Sequence, residues 1–437
     1  MSNHQVPGWI SARGRSLHGS LVVPGDKSIS HRAIMLAAIA DGVSRIDGFL
    51  EGADTLATAA AFAAMGVRIE APDSAVRIVH GVGVDGLQRP VAELECGNAG
   101  TAMRLLTGLL AGQSFDATLV GDASLSRRPM QRVIDPLRAM GARIQSDHGL
   151  PPLRITGGAS LEAIDYVLPV ASAQVKSALL LAGLYANGET RIREPQPTRD
   201  YSERMLQAFG AQLDFAPGHA QLRGRQRLRA TNVSVPADFS SAAFFIVAAT
   251  LVPGSDIRLE RVGINPRRTG LLAVLRLMGA DIRVENTIVP GGEAVADLVV
   301  RHAPLRGIDV PAVHVADMID EFPVLFVAAA CATGQTRITG ASELRVKESD
   351  RIATMSAGLR ALGIRVDESD DGATIHGGRL RGGTVDSHGD HRVAMAFAVA
   401  GQCADDGVQI GDVANVATSF PGFEALAMRA GFSLQPA

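Results

Sequence analysis

The sequence predicts a mixed α/β (α+β) fold in which two similar domains are each built from three copies of one unit. Two observations predict it. The first is a phrase used six times: an apolar helix end, a glycine, then an alternating strand. It reads Ala63-Ala64-Met65-Gly66-Val67-Arg68-Ile69 in the first copy and Arg276-Leu277-Met278-Gly279-Ala280-Asp281-Ile282 in the fourth. The other copies carry Gly141, Gly210, Gly363 and Gly431. The second observation is another helix between the copies. It starts with polar residues, runs through Ala, Leu and Val, and stops at Gly42, Gly112, Gly188, Gly254, Gly334 or Gly407.

Each element follows from these glycines. A glycine just past a helix takes the left-handed conformation that residues with a Cβ resist. Strands come next, as in Glu189-Thr190-Arg191-Ile192 and Gln335-Thr336-Arg337-Ile338. One period therefore reads strand, helix, strand, helix, strand, with room for one more. A period of about 70 residues exceeds that of common solenoids. One such unit has too little core to be stable alone, so the six group as two domains of three.

Composition narrows the class. The chain has 437 residues, enough for two or three domains. It is 46% hydrophobic but only 4% aromatic, which makes a core of Ala, Val, Leu and Ile. A net charge of -3 provides no global field for nucleic acid or anionic lipid. Cys96, Cys331 and Cys403 form no metal or disulfide spacing, which fits a reducing compartment. Met1-Ser2-Asn3-His4-Gln5 has no apolar signal core, and the apolar run Pro323 to Cys331 is too short to span a bilayer. A cytoplasmic protein is expected.

The starts of the second set of helices carry the chemistry. They are Asp26-Lys27-Ser28-Ile29-Ser30-His31-Arg32, Gly97-Asn98-Ala99-Gly100-Thr101, Ala171-Ser172-Ala173-Gln174-Val175-Lys176, Asp238-Phe239-Ser240-Ser241, Asp317-Met318-Ile319-Asp320-Glu321 and Asp390-His391-Arg392. Ser, Asn and Asp cap helices, and for Ser240 and Ser241 that use suffices. Lys27, Arg32 and Arg392 are different. A cation in the first turn opposes the macrodipole at several tenths of a kcal/mol. It makes sense if an anion lies between it and the free backbone N–H groups. Several such starts converging on one cleft would hold an anionic small molecule.

Two further patches fit this pattern. Leu344-Arg345-Val346-Lys347-Glu348-Ser349-Asp350-Arg351 opens another helix. It reads either as a solvated helix with exposed ion pairs or as a cationic site with Glu348 beside it. On a helix, Lys347 and Arg351 would share a face. Ser126-Arg127-Arg128-Pro129 places two arginines before a helix, Pro129 near its first turn, one guanidinium for a ligand and one for solvent. Gly81-Val82-Gly83-Val84-Asp85-Gly86 imitates a dinucleotide fingerprint, but Gln88-Arg89-Pro90 follows, so it reads as a hairpin loop. His388 and His391 lack a third metal ligand, His31 reads as a hydrogen-bonding group, and Cys96 reads as a buried structural thiol.

Together, Pro24-Gly25-Asp26-Lys27-Ser28-Ile29-Ser30-His31-Arg32, Gly97-Asn98-Ala99-Gly100-Thr101, Arg345-Val346-Lys347-Glu348-Ser349-Asp350-Arg351 and Asp390-His391-Arg392 resemble the 5-enolpyruvylshikimate-3-phosphate synthases, within the enolpyruvyl transferase family. The resemblance covers essentially the whole chain. It implies six βαβαββ units in two domains with helices packed inside sheets, an inside-out α/β barrel. Residues 1–23 plus 238–437 would form one domain and 24–237 the other, hinged near Pro24 and Pro236-Ala237. The active site would lie in the interdomain cleft, closed by ligand.

The resemblance also implies substrates and roles. Shikimate 3-phosphate would be held by Lys27, Ser28, Arg32, Ser172, Ala173, Gln174, Arg199, Asp320 and Lys347. Phosphoenolpyruvate would meet Lys27, Gly100, Arg128, Gln174, Arg351 and Arg392. The catalytic residues would be Asp320, Glu348 and Lys27. Asp320 would accept the 5-hydroxyl proton and Glu348 would protonate the methylene carbon, one acid and one base. No step needs a metal or organic cofactor, and a monomer is expected. Thr418 stands where many members have Lys, Leu105 where many have Pro, and Ala173 where many have Ser. Gly100 leaves room for the inhibitor glyphosate, so sensitivity is expected. The sister transferase acting on UDP-N-acetylglucosamine would show Lys-Asn in the first repeat and a loop cysteine; this chain has Lys27-Ser28 and no such cysteine. A non-catalytic anion-binding scaffold would have little use for Asp320 and Glu348.

Overall fold

The computed structural model describes residues 7–289 and 292–437. Its α-helices are α1 (Lys27–Ala38), α2 (Ala53–Ala64), α3 (Gly100–Ala111), α4 (Gln131–Ala139), α5 (Ala173–Gly183), α6 (Tyr201–Ala208), α7 (Phe239–Leu251), α8 (Gly270–Met278), α9 (Phe322–Cys331), α10 (Arg351–Ala361), α11 (His391–Cys403) and α12 (Phe423–Ala430). They alternate in character. The odd-numbered helices are buried nearly all round, which suits apolar sequences such as Phe322-Pro323-Val324-Leu325-Phe326. The even-numbered ones bury one face: in α10, Ile352, Met355 and Leu359 are buried while Ala357 and Arg360 are exposed.

The repeat containing α5 and α6 shows the pattern. Its strands Asp165–Val167, Glu189–Arg193, Leu213–Ala216 and His219–Arg223 form one sheet, with the last strand between the second and third. The first two are parallel, Tyr166 opposite Ile192, and the remaining pairs are antiparallel, Ile192 and Phe215 both opposite Ala220. Leu94–Glu95, Ala117–Val120, Leu150–Thr156 and Arg143–Asp147 repeat this order. Three repeats are completed from distant chain, one of them by His18–Leu21, which runs parallel to Asp256–Gly263. Trp9–Ala12 lies between Val408–Gly411 and Ser433–Pro436, and Val233–Ser234 runs parallel to Ala40–Asp47.

The described chain divides into two compact units. One comprises the segment ending at Pro24 with Pro236–Val289 and Ala294–Ala437; the other is chiefly Gly25–Val235. Pro236 and Ala237 lie with the first, where Ala237 N donates to Arg261 O and Asp238 N to Pro24 O. Each unit has its own core. In the first, aromatic rings pack together, Phe423 against Trp9, Phe244, Phe420 and Phe432. In the second, α3 and α5 pack backbone to backbone: a Cβ on Gly108 would sit 2.1 Å from Ala178 O.

The glycines of the repeated phrase all adopt positive φ, from 85° at Gly363 to 118° at Gly431. The second set does so at Gly42, Gly188, Gly254 and Gly334 only. Gly112 is right-handed, with φ −88°, and Gly407 is not left-handed. Gly112 is needed for space instead, since a Cβ there would lie 2.2 Å from Tyr185 Cγ. At Gly407 the helix has already ended, capped by extended Ala404. No helix among the described residues is long and apolar enough to cross a membrane.

Candidate active site

In the unit containing Pro236–Val289, the side chains ahead of α9, α10 and α11 come together. Two local expectations are corrected. The helix expected from Asp317 begins at Phe322; Asp317 lies in the 3-10 turn Ala316–Met318 and pairs with Arg267 at 3.4 Å. Pro323 has no N–H to donate and fits only the first helical turn, so Asp320 and Glu321 are left just ahead of it. Likewise Lys347 and Glu348 precede α10, which starts at Arg351 because Asp350 caps it through Ala353 N at 3.0 Å. Lys347 and Arg351 therefore share no helix face. They converge on one carboxylate instead: Lys347 Nζ and Arg351 Nη1 lie 3.6 and 3.5 Å from Asp320 Oδ1.

Arg351 organises the group. Its Nη2 lies 2.6 Å from Glu348 Oε2 and its Nε 2.8 Å from Asp390 Oδ2. Burial opposes the Arg351 charge, but Asp390 and Glu348 outweigh it and hold the guanidinium more firmly protonated than usual. Burial would raise the Asp390 carboxyl; Arg351 outweighs it and leaves that carboxyl below the ordinary aspartate value. Asp390 also caps α11, accepting from Arg392 N at 2.9 Å. The Arg392 side chain turns back, with Nη1 3.4 Å from Asp320 O.

In the unit containing Gly25–Val235, two groups form around α5. Arg32 is buried; it donates from Nε to Ser202 Oγ at 2.7 Å, from Nη2 to Ser177 Oγ at 2.9 Å and from Nη1 to Ser28 O at 3.0 Å. Burial, opposed by Glu203 and Asp26 and reinforced by the Arg199 charge, lowers its pKa to about 10, so it stays charged at neutral pH. Two guanidinium charges within electrostatic reach favour an anion between them. Lys27 pairs with Asp54, and Ser172 caps α5 through Val175 N at 3.4 Å. Two residues along, Gln174 Oε1 accepts from Arg104 Nη1 at 2.6 Å and Gln174 Nε2 donates to Thr101 Oγ1 at 2.9 Å. Ala173 is the first residue of α5.

Gly100 opens α3 beside two guanidiniums. A Cβ there would lie 3.0 Å from Arg104 Nη1 and 3.2 Å from Arg128 Nη1. Arg128 is buried and Arg127 exposed. Pro129 falls outside the helix, whose cap is Met130. Lys176, deep in α5, pairs at 2.8 Å with both Glu194 and Glu203, and Glu194 accepts from Thr198, next to Arg199.

Several residues escaped sequence reading. Arg268 and Arg104 each sit among the charged groups, and Ser240 bonds to Glu321 and Arg268 besides lying under the Asp238 cap. For Arg268 a signal existed: Arg267-Arg268 shortly precedes α8, as Arg127-Arg128 shortly precedes α4. Cys331 and Cys403 hydrogen-bond as free thiols, a proximity their spacing does not suggest. Cys96 is buried, and burial raises its pKa to about 12. Among the described residues no group of three or more His, Cys, Asp or Glu is placed to hold a metal ion.

Comparison with known proteins agrees along the whole chain. The family model described as EPSP synthase (3-phosphoshikimate 1-carboxyvinyltransferase) matches residues 12–426. A 3-phosphoshikimate 1-carboxyvinyltransferase of Xanthomonas axonopodis pv. citri is 69% identical over 430 residues, covering 98% of each chain. The solved EPSP synthase of Acinetobacter baumannii is 50% identical with a TM-score of 0.88, covering 99% of this chain and 100% of that one. The enolpyruvyl transferase NikO of Streptomyces tendae, 19% identical, shares the fold with a TM-score of 0.80 over 99% of both chains.

Proposed function

The chain belongs to the EPSP synthase family, and on that premise we infer how its charged groups divide the reaction. The enzyme transfers the 1-carboxyvinyl (enolpyruvyl) group of phosphoenolpyruvate to shikimate 3-phosphate and releases phosphate, a step of aromatic amino acid biosynthesis. Protonation of the methylene carbon leaves an electron-poor centre that the 5-hydroxyl attacks. The tetrahedral ketal then loses phosphate and a methyl proton. One acid and one base suffice for each half.

Glu348 is the acid toward the methylene carbon and Asp320 the base toward the 5-hydroxyl. The observation that carries this is their common neighbour: Arg351 Nη2 and Nη1 lie 2.6 and 3.5 Å from Glu348 Oε2 and Asp320 Oδ1. One buried guanidinium thus fixes acid and base together. Lys27, Gly100, Arg128, Gln174, Arg351 and Arg392 serve phosphoenolpyruvate. Lys27, Ser28, Arg32, Ser172, Ala173, Gln174, Arg199, Asp320 and Lys347 serve shikimate 3-phosphate. Preorganised cations stabilise charge gathering on phosphate and carboxylate.

The three buried helices of each unit, with strands arranged as above, support reading each unit as an inside-out α/β barrel. Glyphosate competes for the space beside Gly100, and the enzyme acts as a cytoplasmic monomer. A coupled assay of phosphate release tests the function. Release needs both substrates; pure folded protein that releases none contradicts it. Glu348→Gln and Asp320→Asn each lose turnover while retaining shikimate 3-phosphate.

A further inference from the structure

Arg268 meets Asp320 at the carboxylate oxygen other than the one nearest Lys347 and Arg351. Its side chain is 2% exposed, and its Nη1 is 3.7 Å from Asp320 Oδ2. The same Nη1 is 3.4 Å from Glu321 Oε1, while Nη2 is 3.3 Å from Asp238 Oδ1 and bonds Ser240 Oγ. Glu321 and Asp238 are themselves buried, so the guanidinium is fixed by two helix caps, those of α9 and α7. Asp320 is thus straddled: Oδ1 faces Lys347 and Arg351 at 3.6 and 3.5 Å, and Oδ2 faces Arg268. Arg392 reaches its backbone carbonyl, and Glu348 lies across Arg351.

The two oxygens face different futures. On the proposed assignment of roles, Lys347 and Arg351 meet the substrate anions, which draw on their charge and leave Oδ1 open toward the reacting hydroxyl. Arg268, anchored from behind by Asp238, Ser240 and Glu321 and given no substrate in that assignment, stays on Oδ2 throughout. A carboxylate surrounded by arriving anions would otherwise take up a proton more readily and lose its use as a base. We propose that Arg268 is a positioning residue for the transfer reaction, holding Asp320 by Oδ2 and keeping it ionised while substrates occupy Lys347 and Arg351. This inference rests on Asp320 acting as the base.

The test compares Arg268→Gln, Arg268→Lys, the double variant Arg268→Gln/Glu321→Gln and Asp320→Asn in the full chain. The double variant keeps the buried charge balanced should Arg268→Gln fail to fold. The expected result for the uncharged variants is a kcat lower by about a hundredfold, as for a misplaced catalytic group. Shikimate 3-phosphate affinity, measured by calorimetry, changes little. The acid limb of the kcat profile moves to higher pH, and Arg268→Lys restores it in part. A folded uncharged variant with unchanged kcat and unchanged acid limb overturns the proposal, as does loss of binding in proportion to kcat. If Asp320→Asn abolishes turnover while the Arg268 variants are unaffected, only the role of Arg268 falls. If Asp320→Asn turns over normally, the base assignment falls and takes this role with it.

Discussion

Arg351 and Asp390, 39 residues apart in sequence, form a buried ion pair with Nε 2.8 Å from Oδ2 and side chains 1% and 0% exposed. Removing one partner strands the other charge, at a cost of about 3–5 kcal/mol. Asp390→Ala should lower the denaturant midpoint accordingly and abolish turnover, because Arg351 loses the contact that fixes it beside Glu348 and Asp320. The pH dependence has a definite sign. The Asp390 carboxyl is depressed in the folded protein, so its contribution is present above the ordinary aspartate value of about 3.9 and is lost as pH falls through the folded value. Unfolding titrations at descending pH should show wild type losing stability that Asp390→Ala never had.

Lys176 tests the other unit. Burial disfavours its charge, but Glu203 and Glu194 outweigh that and raise its pKa. Lys176→Met leaves two buried carboxylates without their cation and should destabilise by about 3–5 kcal/mol, read from denaturant unfolding. Because Glu194 also holds Thr198, next to Arg199, the proposed role of Arg199 predicts weaker shikimate 3-phosphate binding too, measurable by calorimetry.

His31 should stay neutral. Burial first, then Lys27 and Arg32, push its pKa well below the ordinary value, and its Nδ1 is 2.7 Å from Thr58 Oγ1. The unfolded chain takes up a proton below about pH 6.5 that the folded one refuses. Stability therefore falls below that pH, and His31→Gln should flatten the fall. Proton NMR should show no His31 titration between pH 6 and 8, roughly the range where ordinary histidines titrate.

Gly100→Ala should raise KM for phosphoenolpyruvate several-fold and weaken glyphosate inhibition more. The new methyl would stand 3.0 and 3.2 Å from Arg104 Nη1 and Arg128 Nη1, in the space those guanidiniums border. Steady-state inhibition curves for both proteins check it; unchanged inhibition contradicts the steric reading.

How much of this was legible follows from periodicity. Glycines at 66, 141, 210, 279, 363 and 431 set every even-numbered helix end, because only positive φ turns the chain there. Polar starts at Lys27, Ser172 and Asp390 were visible because a cation or cap stands out in an apolar helix. Local register was not. Pro323 and Asp350 decide where α9 and α10 begin, so Lys347 approaches Asp320 across space rather than along a helix. The place of Arg104 depends on tertiary packing alone, and the paired arginines before α8 mark Arg268 without showing that it meets Asp320. The Cys331–Cys403 contact follows from the packing of α9 against α11, which no spacing encodes.

The most direct test of acid–base transfer by Glu348 and Asp320 is deuterium incorporation. In D2O, protonation of the methylene carbon makes a methyl group that loses either isotope on elimination. Wild type should place solvent deuterium in the vinyl group of the product and of recovered phosphoenolpyruvate, detectable by mass spectrometry. Glu348→Gln, binding shikimate 3-phosphate normally, should place none. Undiminished incorporation in Glu348→Gln would contradict its role as the acid.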